Sequence, residues 1–88
     1  MDNEIRVFAD GILNAIGQPL LTDVEADALP QEMDDVKIYR ALADIINNRE
    51  FPDDGIAKLN AYAVIQGVNF SGERKVFNNI FIGASLEN

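Results

Sequence analysis

Six carboxylates are concentrated in one short stretch of the chain, residues 21–35, and no basic residue lies among them. They are Asp23, Glu25, Asp27, Glu32, Asp34 and Asp35. A surface with several carboxylates attracts a basic partner and accelerates association by roughly 10–10³-fold at low salt. We therefore expect these six residues to bind a basic surface on another protein. The alternative is a solvated surface, because the first turns of helices favour Asp and Glu in any case.

A cation site is a third interpretation of these acids, but their spacing does not match that of a calcium-binding loop. Asp53-Asp54-Gly55 also lacks the remaining ligands of such a loop. The chain has no Cys and no His, so it offers no thiolate or imidazole ligand for zinc, no thiol nucleophile and no imidazole base. We expect no metal, no cofactor and no enzymatic activity.

Charge is divided unevenly along the 88 residues. Residues 1–54 hold 13 acidic and 4 basic residues, whereas residues 55–88 hold 2 acidic and 3 basic residues. The net charge of the whole chain is −8. This balance disfavours binding to nucleic acid, which needs clustered Lys and Arg. The predicted function is therefore a non-enzymatic interaction module of the inhibitor, neutraliser or adaptor type.

The second part of the chain combines amides with aromatic residues. These are Asn60, Asn69, Asn78, Asn79, Tyr62, Phe70, Phe77 and Phe81. Aromatic side chains contribute much of the binding energy of interfaces. A self-assembling structural subunit, a homo-oligomer joined through this part, is thus the alternative function. The competing interpretation is that the aromatic residues fill the core and the amides face water.

A DNA-binding domain is a further alternative. The spacing of Ala63, Gly67 and Val68, with Val76 farther on, resembles that of a helix-turn-helix, in which Ala packs between the helices and Gly makes the turn. Glu73, however, occupies a position that should be apolar early in the second helix.

The length is that of one small globular domain, residues 1–88. The N-terminus lacks a basic region followed by an apolar run, so it does not predict a signal peptide. The apolar runs are far shorter than the roughly 20 residues of a membrane span. A cytoplasmic location is expected.

Apolar residues recur at helical spacing in the first half of the chain. The first predicted helix covers residues 3–16, with Asp2 or Asn3 as its cap, and stops at Gly17. A capping box at Thr22-Asp23-Val24-Glu25 predicts a short helix that ends near Leu29, because Pro30 follows. The third helix, residues 34–48, carries an apolar stripe broad enough to pack against two neighbours, and Arg49 lies near its negative end.

The C-terminal third has two interpretations. In the first, Asp53 or Asp54 caps a helix that ends near Gly67, and Ser71 caps a last helix over the following apolar residues. In the second, residues 60–82 form a β-hairpin. We predict a compact all-α bundle of four to five short helices, with an α+β fold as the alternative. The predicted core is Ile5, Phe8, Ile12, Ile16, Val36, Tyr39, Leu42, Ile46, Ile56, Leu59, Ala63, Val76, Phe77, Ile80 and Phe81.

Overall fold

A computed structural model describes residues 3–50 and 52–75 of the chain. Over these residues it contains four helices and no strand: α1 (Asn3–Ala15), α2 (Asp23–Ala26), α3 (Asp35–Asn47) and α4 (Pro52–Ile65). The all-α prediction is confirmed. The alternative of a hairpin over residues 60–82 is wrong for residues 60–75, because residues 60–65 are helical and residues 66–75 form no strand. The rest of that range, residues 76–82, lies outside the described residues. None of the helices described is long and apolar enough to cross a bilayer.

Helix α3 lies at the centre of the core and packs against both α1 and α4. Its residues Ile38, Leu42 and Ile46 are fully buried, and Leu13 of α1 and Leu59 of α4 are fully buried with them. This arrangement confirms that the broad apolar stripe of α3 serves two neighbours. The buried residues of the described chain form one continuous cluster, so a single core holds the helices together.

The predicted core needs two corrections. Phe8 is 38% exposed, and Ala9 and Leu13 take the buried face of α1. Ala9 lies at the middle of this face between Ile5 and Leu13, one helical turn from each, and its small side chain lets α1 approach the core closely. Val36 is only partly buried. The predicted core residues Val76, Phe77, Ile80 and Phe81 lie outside the described residues.

The ends of the helices follow local rules. Gly17 and Gly67 have φ of +76° and +75°, and each lies just past the end of its helix. The N–H of Gln18 donates to the carbonyl of Leu13, and that of Val68 donates to the carbonyl of Ala63, both at 2.9 Å. These bonds and the glycine conformation form a Schellman motif after α1 and another after α4.

The cap predicted for α4 differs from the structure, and so does one of the two alternatives for α1. Asn3 is the first residue of α1 and so is not its cap, and Asp2 lies outside the described residues. Helix α4 begins at Pro52, so Asp53 and Asp54 lie inside its first turn and do not cap it. Proline suits this first position because the N–H it lacks would have no partner within the helix.

Residues 68–75 form neither a helix capped by Ser71 nor the second helix of a helix-turn-helix. Instead, two asparagine side chains hold this segment against α3 and α4. Asn60 bonds both the N–H and the carbonyl of Gly72, at 2.6 and 2.9 Å. Asn47, which is buried, accepts the N–H of Lys75 at 2.8 Å and donates to the carbonyl of Glu73 at 2.9 Å. These amide bonds take the place of regular backbone pairing in the segment.

Candidate functional site

The acidic segment, residues 21–35, begins where the chain is fastened to α1. The N–H of Leu21 donates to Oδ1 of Asp10 at 2.8 Å, and Nη2 of Arg6 donates to the carbonyl of Leu21 at 2.9 Å. Nη1 of the same arginine lies 2.9 Å from Oδ1 of Asp23. The side chain of Leu21 is buried. These bonds fix the entry of the acidic segment along one side of α1.

The predicted capping box opens α2. The N–H of Glu25 donates to Oγ1 of Thr22 at 3.1 Å, and the N–H of Thr22 donates to Oε1 of Glu25 at 3.0 Å. Each side chain satisfies an amide that lacks a partner at the start of a helix. A helix of four residues is thereby held in place.

Glu25 also binds Arg49, which follows α3. Nε and Nη2 of the guanidinium lie 3.0 and 2.8 Å from the two carboxylate oxygens, a two-pronged ion pair. The side chains of Arg49 and Glu25 are only 14% and 23% exposed. The hydrogen bond from Arg49, opposed by burial and aided by Thr22, lowers the pKa of Glu25 from 4.5 to about 2. Glu25 is therefore an internal link between α2 and the end of α3.

Arg49 reaches further along the same connection. Its Nη1 donates to Oε1 of Gln18 at 3.1 Å and to the carbonyl of Pro19 at 2.9 Å. Sequence reasoning placed Arg49 at the negative end of α3 and missed this role. A signal for it was present in the sequence: residues 1–54 contain only four basic residues but 13 acidic ones. Each of these basic side chains could therefore be expected to form an ion pair.

Two further acids act at the start of α3. Asp34 is the N-cap, and its Oδ1 accepts the N–H of Lys37 at 3.1 Å. Glu32 pairs with the ammonium group of Lys37 at 2.6 Å, and this hydrogen bond raises the pKa of Lys37. Both members of the Glu32–Lys37 pair are exposed, so water and salt screen it.

Four of the six predicted residues keep an exposed carboxylate: Asp23, Asp27, Glu32 and Asp35. Apolar side chains are exposed among them or beside them. Val24 is 81% exposed, Leu20 54% and Met33 50%. Sequence reasoning missed these three, because no periodicity distinguishes an exposed apolar residue in a short helix or a loop from a buried one.

The arrangement offers charge and apolar contact together, on a backbone fixed by two arginines and a capping box. Among the residues that the structure describes, no three acidic side chains come close enough to hold a metal ion. Comparison of the chain with protein-family models, curated proteins and solved structures found no match.

Proposed function

We propose that this chain is a non-enzymatic protein-binding module that covers a basic surface on another protein. The observation that carries the proposal is the mixture of exposed apolar and acidic side chains in the acidic segment and just before it. A solvated surface needs charge but gains nothing from Val24 or Met33 in water. A protein interface uses both, since apolar contact supplies affinity and charge supplies rate and register.

Preorganisation supports the same proposal. Ordering a loop when it binds reduces the affinity of the complex. Arg6, Arg49 and the capping box of Thr22 and Glu25 already hold residues 19–26 in one conformation. The exposed side chains of residues 19–26 can therefore contact a partner without a large loss of conformational entropy.

Charge reversal tests the proposal. The acid-reversed variant carries Asp27→Lys and Glu32→Lys, which leave the N-cap Asp34 and the internal Glu25 unchanged. The control variant carries Asp44→Lys and Asp54→Lys and alters the net charge by the same amount. Each control carboxylate belongs to one exposed ion pair, as Glu32 does. Circular dichroism would verify that both variants keep the helical content of the original chain.

The experiment is a pull-down from the host lysate with each tagged protein, at low and at high salt, read by mass spectrometry. We expect one basic protein that the original chain and the control variant retain at low salt. The acid-reversed variant should lose it, with association slowed by about tenfold or more. Equal retention by the original chain and both variants would contradict the proposal.

A self-assembling structural subunit is a second candidate. The observation in its favour is the exposure of Val64 and Ile65, 74% and 76%, at the end of α4. Light scattering of the purified chain at micromolar concentration separates the two candidates. An oligomer that persists at high salt supports self-assembly, and a monomer contradicts it.

A further inference from the structure

An open apolar groove lies between α1 and α4, with a volume of about 420 Å³. Phe8 and Gly11 of α1 line it, together with Tyr62 of α4, Val68 and, from the start of α3, Asp35. Phe8 is 38% exposed and its neighbour Val7 69% exposed. The described part of the chain leaves this apolar surface in water, which is unfavourable.

Gly11 indicates where an occupant would approach. It lies in the interior of α1, where glycine is less favourable than alanine. Positive φ occurs only at Gly17 and Gly67 among the described residues, so the backbone at Gly11 does not require glycine. A Cβ added at Gly11 would meet no atom within 4 Å. Packing within the described chain therefore gives no reason for a glycine at a position where the missing side chain opens the groove.

The charge of the groove and of the whole chain selects the kind of occupant. Asp35 is the charged residue that borders the groove, and its carboxylate accepts the N–H of Val36 at 2.7 Å while its side chain remains exposed. The chain carries a net charge of −8. A second copy of the chain would also carry a net charge of −8, so the two copies would repel each other. An anionic membrane would be repelled for the same reason. A largely apolar groove with one carboxylate in its lining fits a cationic, amphipathic partner.

Polar side chains other than Asp35 also line the groove. They are those of Tyr39, Tyr62 and Gln66. Burial raises the pKa of Tyr39, and Tyr62 and Asp35 raise it further by their charge. A helix in the groove would therefore meet both apolar and polar side chains, as an amphipathic helix can.

We propose that the α1–α4 groove binds one amphipathic helix of the basic partner, with apolar side chains against Phe8, Gly11 and Tyr62 and a Lys or Arg at Asp35. This inference rests on the proposed function and names the element that the partner presents. Helix α1 has 13 residues and is about 20 Å long, which matches three to four turns of a bound helix. Binding of an amphipathic helix in an apolar groove is a common mode of protein recognition.

The probe is a synthetic amphipathic helix of Leu and Lys, with Leu on one face. Two control peptides accompany it: one with the same composition but Leu scattered around the helix, and one with Glu in place of every Lys. The full chain, labelled with ¹⁵N, reports by chemical shift which residues are contacted, and fluorescence anisotropy measures affinity. We expect the Leu–Lys helix to shift the amides of Phe8, Gly11 and Tyr62 and to bind more tightly than either control.

Three variants test the assignment. Gly11→Leu fills the groove and should weaken binding of the Leu–Lys helix by about tenfold or more. Gly11→Ala, which improves helix propensity, should weaken it to a smaller extent while the fold gains stability, so unfolding cannot explain the loss. Asp35→Asn should reduce the affinity and its salt dependence together.

Several results would overturn the groove assignment. The first is that the Leu–Lys helix shifts no amide resonance of the groove, and the second is that the Lys and Glu helices bind equally well. The third is that uncharged lipid vesicles shift the groove resonances as strongly as the peptide does. The fourth is that the chain associates with itself and Gly11→Leu abolishes this association. The acid-reversed variant separates this inference from the proposed function. If Asp27→Lys with Glu32→Lys releases the cellular partner and Gly11→Leu does not, the proposed function stands and the groove is not its site.

Discussion

Glu25 and Asp27 are two carboxylates two positions apart in the acidic segment, and their surroundings differ. Arg49 and Thr22 bind the carboxylate of Glu25 on one side of α2. The side chain of Asp27 is exposed just past the end of the same helix. Residue type is therefore a poor guide to role within this segment. The role of a carboxylate that stabilises the fold is tested by measuring stability, and the role of one exposed to a partner is tested by measuring binding.

Glu25→Gln tests the internal role of Glu25. Glutamine can keep the capping box but removes the charge that binds Arg49. The folded-state pKa of Glu25, about 2, lies below its ordinary value of 4.5. Its contribution to stability is therefore full above about pH 5 and is lost progressively as the pH falls towards 2. We expect Glu25→Gln to lower the free energy of unfolding by about 1–3 kcal/mol at pH 7.

Urea unfolding of the original chain and of Glu25→Gln, at a series of pH values, measures this effect. The difference between the two should shrink as the pH falls from about 5 to about 2. Asp27→Asn is the matched control and should change stability little at any pH. A difference that stays constant down to pH 2 would contradict the role assigned to the Glu25–Arg49 pair.

At the scale of the elements, most of each helix follows from local chemistry. The Thr22–Glu25 capping box is present as predicted, and Asp34, predicted as the first residue of α3, is its N-cap. Gly17 stops α1 because a residue with φ of +76° suits glycine far better than any residue with a side chain. For the first predicted helix, the helix itself and three of its predicted buried residues, Ile5, Ile12 and Ile16, were right, and only Phe8 was wrong.

Replacing each of two glycines of the α1 region by alanine should change the free energy of unfolding in opposite directions. Gly11→Ala should raise the free energy of unfolding by about 0.5–1 kcal/mol, because Gly11 is helical and the added Cβ meets open space. Gly17→Ala should lower it by about 1 kcal/mol, because the new side chain is strained at positive φ. Thermal unfolding followed by circular dichroism measures both. The same sign for both variants would contradict the assignment of Gly17 as the residue that ends the helix.

At the scale of the whole molecule, the contact of α4 with α3 and with the turn after α1 depends on close approach at Gly55. A Cβ added there would lie 2.8 Å from Cγ2 of Ile46 and 2.9 Å from Nε2 of Gln18. Gln18 is also a partner of Arg49, which binds Glu25. Packing at Gly55 is thus connected to the bonds that hold the acidic segment.

Gly55→Ala should therefore destabilise the fold by about 1–3 kcal/mol, although alanine is the better helix former. Urea unfolding at pH 7 measures the change, and Gly11→Ala is the matched control in open space. We also expect the amide resonances of Gln18 and Arg49 to shift in Gly55→Ala. A variant as stable as the original chain would mean that α3 and α4 can separate without cost.

The sequence by itself determined the local features of this protein: the helical class, the positions of α1 to α4 to within a few residues, the capping box, and the concentration of acids in residues 21–35. These features depend on neighbours three or four positions apart, so a linear pattern contains them. The six candidate residues could likewise be named from the linear pattern, because a run of acids without a base needs no fold to be seen.

The tertiary structure decided which of these carboxylates are engaged. The arginine partners of Glu25 and Asp23 come from positions 24 and 17 residues away along the chain, and no local pattern specifies such pairs. Long-range packing also turned Phe8 outward, brought Asn47 and Asn60 against residues 72–75, and opened the α1–α4 groove beside Asp35. Each of these outcomes depends on how the helices meet, because burial and pairing depend on distances in space.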